Sequence, residues 1–233
     1  MFSNLKLGLR DHDPVRLART PTLADVSPQL FAETPRDWQI GRAWDSDQLY
    51  NDWLGCCGPA AIVNFFKVVC AALGIPCPYD AATVLNLYRS QGWDGTDATD
   101  NGVVLAALMA YLVQSGILDA FMRVPFGDRA HFATAHDLGG PIVLGVTLTE
   151  SCKTTDRWDA KAAADSKIWG KHAVLVFSVS PGLYRVKSWG RVVDVEPEYL
   201  EARGNEAYLP LVRDMHPNLA IDWDRLREIA ALI

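Results

Sequence analysis

The chain has 233 residues, 49% hydrophobic and 21% charged. A globule of this size buries roughly 70–75% of its unfolded surface, so it needs neither a metal nor a disulfide to hold a core. A net charge of −6 without any long Lys/Arg run leaves no electrostatic footprint for nucleic acid. No apolar run reaches the ~18 residues that a membrane span requires. The first 30 residues mix charges and prolines and carry no apolar signal-peptide core, so export by signal peptide is not expected. The five cysteines, at 56, 57, 70, 77 and 152, then read as reduced thiols.

In chain order, residues 1–45 hold Pro14, Pro21, Pro28 and Pro35 with little apolar periodicity. They read as an extended arm laid over the body of the protein or over a partner, with Leu5, Leu7, Leu9, Leu17, Leu23, Phe31, Trp38 and Trp44 as spread apolar anchors. A helix is expected over 59–73. Pro59 suits a first turn, where its missing N–H costs nothing, and Gly74 and Pro76 stop the helix. Only Asn64 and Lys67 interrupt its apolar surface, so most of its circumference is buried. Further helices are expected over 81–89 and 103–114, separated by the turn-rich stretch SQGWDGTDATDNG, residues 90–102.

From residue 141 strands take over. PIVLGVTL (141–148) is β-branched and bounded by turn residues. A long polar loop is expected over 151–170. HAVLVFSVSP and LYRVKSW form a hairpin turning at Pro181-Gly182, and RVVDVE and EAYLPLV (206–212) are further strands. IDWDRLREIAALI reads as a terminal amphipathic helix. Helices followed by strands give an α+β fold, with a helical lobe over about 46–138 and an antiparallel β lobe over about 139–233.

The adjacent thiols of NDWLGCCGPAAIVNFF (51–66) pose the functional question. Adjacent cysteines cannot form a zinc knuckle, and neither Cys70 nor Cys77 completes one, so no metal and no cofactor is expected. Cys70 lies mid-helix among Val and Ala and reads as packing, as do Cys77 and Cys152. Cys57 stands just before Gly58-Pro59, at the start of the apolar helix. A helix N-terminus and a nearby imidazolium depress a thiol pKa, and Gly55 and Gly58 leave room for a substrate carbonyl. A nucleophilic thiol needs a base. Of the five histidines, His12, His131, His136 and His216 lie in polar or loop-like contexts. His172 opens an apolar strand after a long loop, where it can face the helical lobe.

Cys57-Gly58-Pro59-Ala60-Ala61 opening a helix, His172-Ala173-Val174 opening a strand, and Lys187-Ser188-Trp189-Gly190 after a hairpin together resemble the papain-like cysteine peptidase superfamily. The wider frame resembles small papain-like proteins of tailed bacteriophages and prophages. That frame is LKLGLRDHDPVRLAR, NDWLGCC, DNG at 100–102, PIVLGVTL and VKSWG followed by EPEYLEARGNEAYLPLV. The resemblance covers nearly the whole chain. It implies Cys57 as nucleophile, His172 as base, Asn51 as an oxyanion-hole donor, and Trp189 packed over His172. Asn51 occupies the place of the family's glutamine, six residues before the thiol. The position of the family's asparagine is held by Ser188 or Lys187, depending on how the count is made, with Asp194 a further candidate. Cys56 stands where the phage group tends to have Asp.

Two expectations follow from different classes. One is a thiol hydrolase acting on a peptide or protein substrate; the same site also suits acyl transfer or deamidation. The other is a non-catalytic virion or accessory protein that docks on phage structural proteins through residues 1–45. Either places the protein in the cytoplasm of a bacterial host or in a virion.

Overall fold

The computed structural model describes residues 5–11, 14–22, 38, 47–215, 223–224 and 226. The parts of the arm over 23–37 and 39–46, His12, His216 and most of the expected terminal helix lie outside these residues. Among the described residues the arm contains a short helix that its prolines did not suggest, α1 (Pro14–Arg19). The central element is α2 (Cys57–Leu73), which begins two residues before the expected Pro59 and closes at Gly74, left-handed at φ 67°. Thirteen of its residues are buried, from Cys57 to Cys70. A helix apolar all round must be covered on every side. The helix α3 (Ala81–Ser90) packs beside it, started by a reciprocal cap in which Asp80 accepts from the Thr83 N–H and Thr83 Oγ1 accepts from the Asp80 N–H. The helix α4 (Leu105–Gln114) follows and also contacts α2.

The order of elements is less segregated than the sequence suggests. The strand β1 (Ala120–Arg123) and the helix α5 (Arg129–Gly139) come before β2 (Ile142–Thr149). The expected loop over 151–170 holds a 3-10 turn (Glu150–Thr154), the short strand β3 (Arg157–Trp158) and the helix α6 (Ala160–Ala164). Then come β4 (Ile168–Ser180), β5 (Leu183–Ser188), β6 (Arg191–Val195), α7 (Pro197–Arg203) and β7 (Gly204–Leu211). Together these strands form one seven-stranded sheet in the order β1-β7-β2-β4-β5-β6-β3, antiparallel except where β3 joins β6.

The sheet has two buried faces. Val143, Ala173, Leu175, Phe177 and Tyr208 point into a core shared with α2, α3 and α4. Ile142, Leu144, Val174, Val176 and Leu209 point into a second core with Phe132, Trp158, Trp189 and Tyr199. Burial on both faces explains why PIVLGVTL is apolar throughout instead of alternating. Phe65 sits at the centre of the first core, fully buried and edge-on to Phe66 with ring centroids 5.2 Å apart. Phe65→Ala is expected to cost about 3–5 kcal/mol, read as a lowered urea midpoint with an unchanged slope.

Candidate active site

Cys57 is the first residue of α2, and its sulfur accepts the backbone N–H of Ala173 on β4 at 3.3 Å. This contact sets the start of the helix against the residue that follows His172. His172 and Cys57 are both fully buried. One imidazole nitrogen, Nε2, lies 2.8 Å from Ser188 Oγ, and the other, Nδ1, has no hydrogen-bond partner. Trp189 stacks on the imidazole, with centroids 4.0 Å apart and planes 13° from parallel. Of the three residues considered for the partner of His172, the structure brings Ser188 to the ring. Asp194 is engaged with Arg185 at 3.1 Å. Lys187 belongs to the same strand as Ser188, and strand neighbours point to opposite faces.

Two tight turns hold these groups in unusual backbone. Trp189 and Gly190 join β5 to β6, and both have positive φ, 47° and 71°. A two-residue hairpin of this hand normally takes Asn-Gly. The second turn lies just before Asn51, where Leu49 and Tyr50 have φ 54° and 62° and the Asn51 N–H closes on Gln48 O at 2.9 Å. Among the described residues these three are the only non-glycines with positive φ. Each such residue costs on the order of 1–3 kcal/mol, and backbone strain of this kind concentrates at functional sites. Cys56 secures the second turn, since its thiol donates to Leu49 O at 3.5 Å. Burial pushes its pKa far up, which makes it a structural thiol. Asn51 is buried, with its side-chain oxygen unpaired.

Sequence reasoning missed Asp100. Its carboxylate accepts the Gly55 N–H at 2.8 Å, the Tyr88 hydroxyl and the Lys6 ammonium. Tyr88 Oη in turn accepts the Gly102 N–H at 2.9 Å. Burial works to raise the Asp100 pKa, but the donors from Lys6, Tyr88 and Gly55 outweigh it and hold the carboxyl below its ordinary range. The only trace in the sequence is an Asp beside Asn-Gly in a polar loop. Gly58 also differs from expectation. It admits the Val103 side chain, which a Cβ there would strike, and so serves packing.

Residues 5–11 run across this site. Leu9 bridges Val103 in parallel, through Val103 N–H to Gly8 O and Arg10 N–H to Val103 O, both 2.8 Å. On the other side the Leu9 N–H reaches Lys171 O at 3.4 Å. Ion pairs Lys6–Asp100 and Lys171–Asp11 fasten both ends of the segment. Gly8 passes between Gly55 and Gly102, where a Cβ on Gly8 would fall on the Gly55 carbonyl and a Cβ on Gly102 would fall on that of Gly8. Its N–H bears on the Cys57 sulfur together with those of Ala173 and Gly58.

Cys57 and His172 are each neutral. Burial pushes the Cys57 pKa up to about 11 against the backbone donors that favour the thiolate. Burial, seconded by the charge of Arg191, lowers that of His172 to about 3. The depressed thiol pKa expected from a helix N-terminus is therefore overridden by burial. Among the described residues no group of three His, Cys, Asp or Glu side chains could hold a metal ion, and no helix is long and apolar enough to cross a membrane.

No family model and no curated protein matches the sequence. Among solved structures, xylellain, a cysteine protease from Xylella fastidiosa, matches with a TM-score of 0.68 at 14% identity, over 90% of this chain and 97% of that one. Procathepsin L 3 from the larval midgut of Tenebrio molitor is a looser match, with a TM-score of 0.48 at 13% identity over 85% and 77% of the two chains. The first likeness establishes the fold as α+β and papain-like.

A buried neutral His172 gives a signed expectation. Its folded pKa lies below the ~6.5 of an unfolded histidine, so the folded state binds fewer protons. Its contribution to stability is therefore complete above pH ~6.5 and declines as the pH falls from there towards the folded value. In proton NMR the His172 ring signals are expected to stay constant between pH 5 and 8, while thermal stability falls on acidification. A titration midpoint for His172 near ~6.5 would contradict the burial that the structure shows.

Proposed function

We propose that the protein is a cysteine-dependent hydrolase of peptide or isopeptide bonds whose cleft is kept latent by its own residues 5–11. The observation that carries this reading is the seating of Cys57 against the backbone of Ala173, the residue that follows His172, whose Nε2 is held by Ser188 and whose Nδ1 is unpartnered. In this reading His172 takes the thiol proton through Nδ1, and Ser188 with Trp189 fixes the ring plane. The Cys57 sulfur attacks the carbonyl carbon. The oxyanion is met by the Asn51 amide and by the unpaired N–H groups of the first turn of α2. The protonated imidazole then donates to the leaving amine, and water hydrolyses the acyl-enzyme by the same exchange in reverse.

The strap suits a latent state because it offers the sulfur an N–H from Gly8, where a substrate would bring a carbonyl carbon. When it leaves, water reaches both groups, the burial that separates their pKa values is relieved, and proton transfer from sulfur to nitrogen becomes easier. The described contacts of residues 5–11 are to the chain itself: Gly8 and Leu9 lie at the site, and Leu5 and Leu7 pack against the second core. An origin in tailed phages or prophages, docking of the arm on phage structural proteins, and a location in host cytoplasm or virion rest on the sequence resemblance alone.

Gly8→Ala in the full chain is the direct test, because the added Cβ collides with the Gly55 carbonyl and displaces the strap. It is expected to speed iodoacetamide labelling of Cys57 by at least about tenfold and to unmask hydrolysis of an unfolded protein substrate. Adding Cys57→Ala abolishes the hydrolysis, and adding Asn51→Ala lowers kcat by about 10²–10³. Fast labelling of Cys57 with no hydrolysis of any peptide bond would remove the enzyme reading.

A further inference from the structure

Two thiols that the site does not use meet at the far end of α2. Cys70 lies in the last turn of that helix, roughly 20 Å of helix away from Cys57. The helix ends at the left-handed Gly74, with the Gly74 N–H on Ala71 O at 3.1 Å and the Ile75 N–H on Cys70 O at 3.0 Å. This closure turns the chain back along the helix it has just left. Tyr79 then lays its ring on Phe66, with centroids 4.1 Å apart. Phe66 and Cys70 stand one turn apart on the same helix face, so a chain that brings Tyr79 to Phe66 brings Cys77 past Cys70.

The two side chains are hydrogen-bonded, and both are free thiols. Cys70 donates to Cys77, and Cys77 donates to Tyr79 O at 3.6 Å. Burial, and after it the two thiols, raise the pKa of the Tyr79 hydroxyl, so three titratable groups share one spot. The exposures of the thiols differ. Cys70 is 1% exposed, whereas Cys77 is only partly buried and stands among exposed Gly74, Ile75, Pro76 and Pro78. Burial, seconded by Cys77, pushes the Cys70 pKa up to about 11, so Cys70 stays protonated until its neighbour has reacted.

We propose that Cys70 and Cys77 form a redox-active dithiol, which reacts with a low-molecular-weight disulfide and closes to an intramolecular bond that ties residues 74–79 to the end of α2. The accessible Cys77 sulfur gives up its proton and attacks one sulfur of the small disulfide. That S–S bond breaks, one small thiol leaves, and Cys77 carries a mixed disulfide. Cys70 then loses its proton and attacks the Cys77 sulfur, and the second small thiol leaves. Two protein thiols are oxidised and one small disulfide is reduced to two thiols, with both protons passing to the leaving sulfurs. The mixed disulfide is uncharged, so the share of the Cys70 pKa rise that came from Cys77 is lifted at the step where Cys70 must ionise. The exposed connection can yield the short movement that an S–S bond of about 2.0 Å requires. None of this depends on the hydrolase reading.

The test uses the full chain in equimolar reduced and oxidised glutathione at pH 8, followed by blocking of the remaining thiols. Trypsin releases both cysteines in one peptide, residues 68–89, so the bond is read as two hydrogens lost from that peptide. The native protein is expected to give it in at least about tenfold excess over the peptide carrying glutathione. Cys70→Ala is expected to stop at the mixed disulfide on Cys77, and Cys77→Ser to leave Cys70 unmodified. Reduced thiols at both positions of the native chain, or a bond that forms only in urea, overturns the proposal. So does a mixed disulfide that accumulates on Cys77 while Cys70 is present.

The tie itself is read from the melting temperatures of the oxidised and reduced forms. The bond is expected to raise the melting temperature by at least about 4 °C. Dithiothreitol reverses the rise, and Cys77→Ser, a change at a partly exposed position, shows none. An unchanged or lowered melting temperature overturns the tie. Iodoacetamide labelling of Cys57 is expected to be equally slow in both forms. Faster labelling after oxidation would mean that the bond distorts α2 instead of fastening its end, and would also overturn the tie.

Discussion

The first turn of α2 is pressed against β4 at one point, where the Ala173 N–H meets the Cys57 sulfur. The rest of the site depends on that seating. It needs a helix whose end is fixed by packing, and α2 is buried on nearly all sides. It needs a strand that cannot slide, and β4 is held by β2 on one edge and β5 on the other. A one-residue slip of β4 would exchange His172 for Ala173 and take the imidazole away from Ser188 and Trp189. The ring itself is gripped between Ser188 and Trp189, and the left-handed Trp189 of the tight turn after β5 is what lays the indole over it. Strain and stacking act together there: a residue ill suited to the turn is retained where its side chain covers the base.

Two opposing effects act on the thiol. The amide groups at the start of α2, with Ala173 and Gly8, favour the charged sulfur, and removal from water disfavours it. A helix end contributes typically 0.3–1 kcal/mol, up to about 2 in partly buried geometries. Taking an ion out of water costs several kcal/mol. Burial wins. The sequence motif alone therefore does not make a thiolate: where the sulfur is shut away from water, the same helix start holds a protonated thiol.

Much of this was legible in the chain. Pro59, the apolar run after it and Gly74 mark α2 by local chemistry alone, and the β-branched runs mark β2, β4 and β6. Cys57 and Ser188 stood out because one opens α2 and the other closes β5; His172 was read as the first residue of its strand, but β4 begins four residues earlier, at Ile168. Other features were hidden, each for a definite reason. The helix α5 buries few residues and reads as polar. β1 is four residues long. Gly8 looks like any glycine until three backbone segments, at 8, 55 and 102, are brought together. Asp100 acquires meaning from donors 45, 12 and 94 residues away in sequence.

The strap belongs to the chain that it covers, and a further contact shortens its leash. The Arg123 N–H holds Pro21 O at 2.8 Å, so the chain is tied to β1 only ten residues beyond Asp11. For the latency proposed above, closure is a unimolecular event, governed by an effective concentration of millimolar order for a short tether. At such a local concentration even a poorly fitting segment keeps the cleft occupied, and diluting the protein does nothing to open it. A competitor in solution must outbid a ligand that never diffuses away. A single cut in the stretch between Asp11 and Pro21 ends that advantage at once, because the freed segment is then diluted like any other peptide.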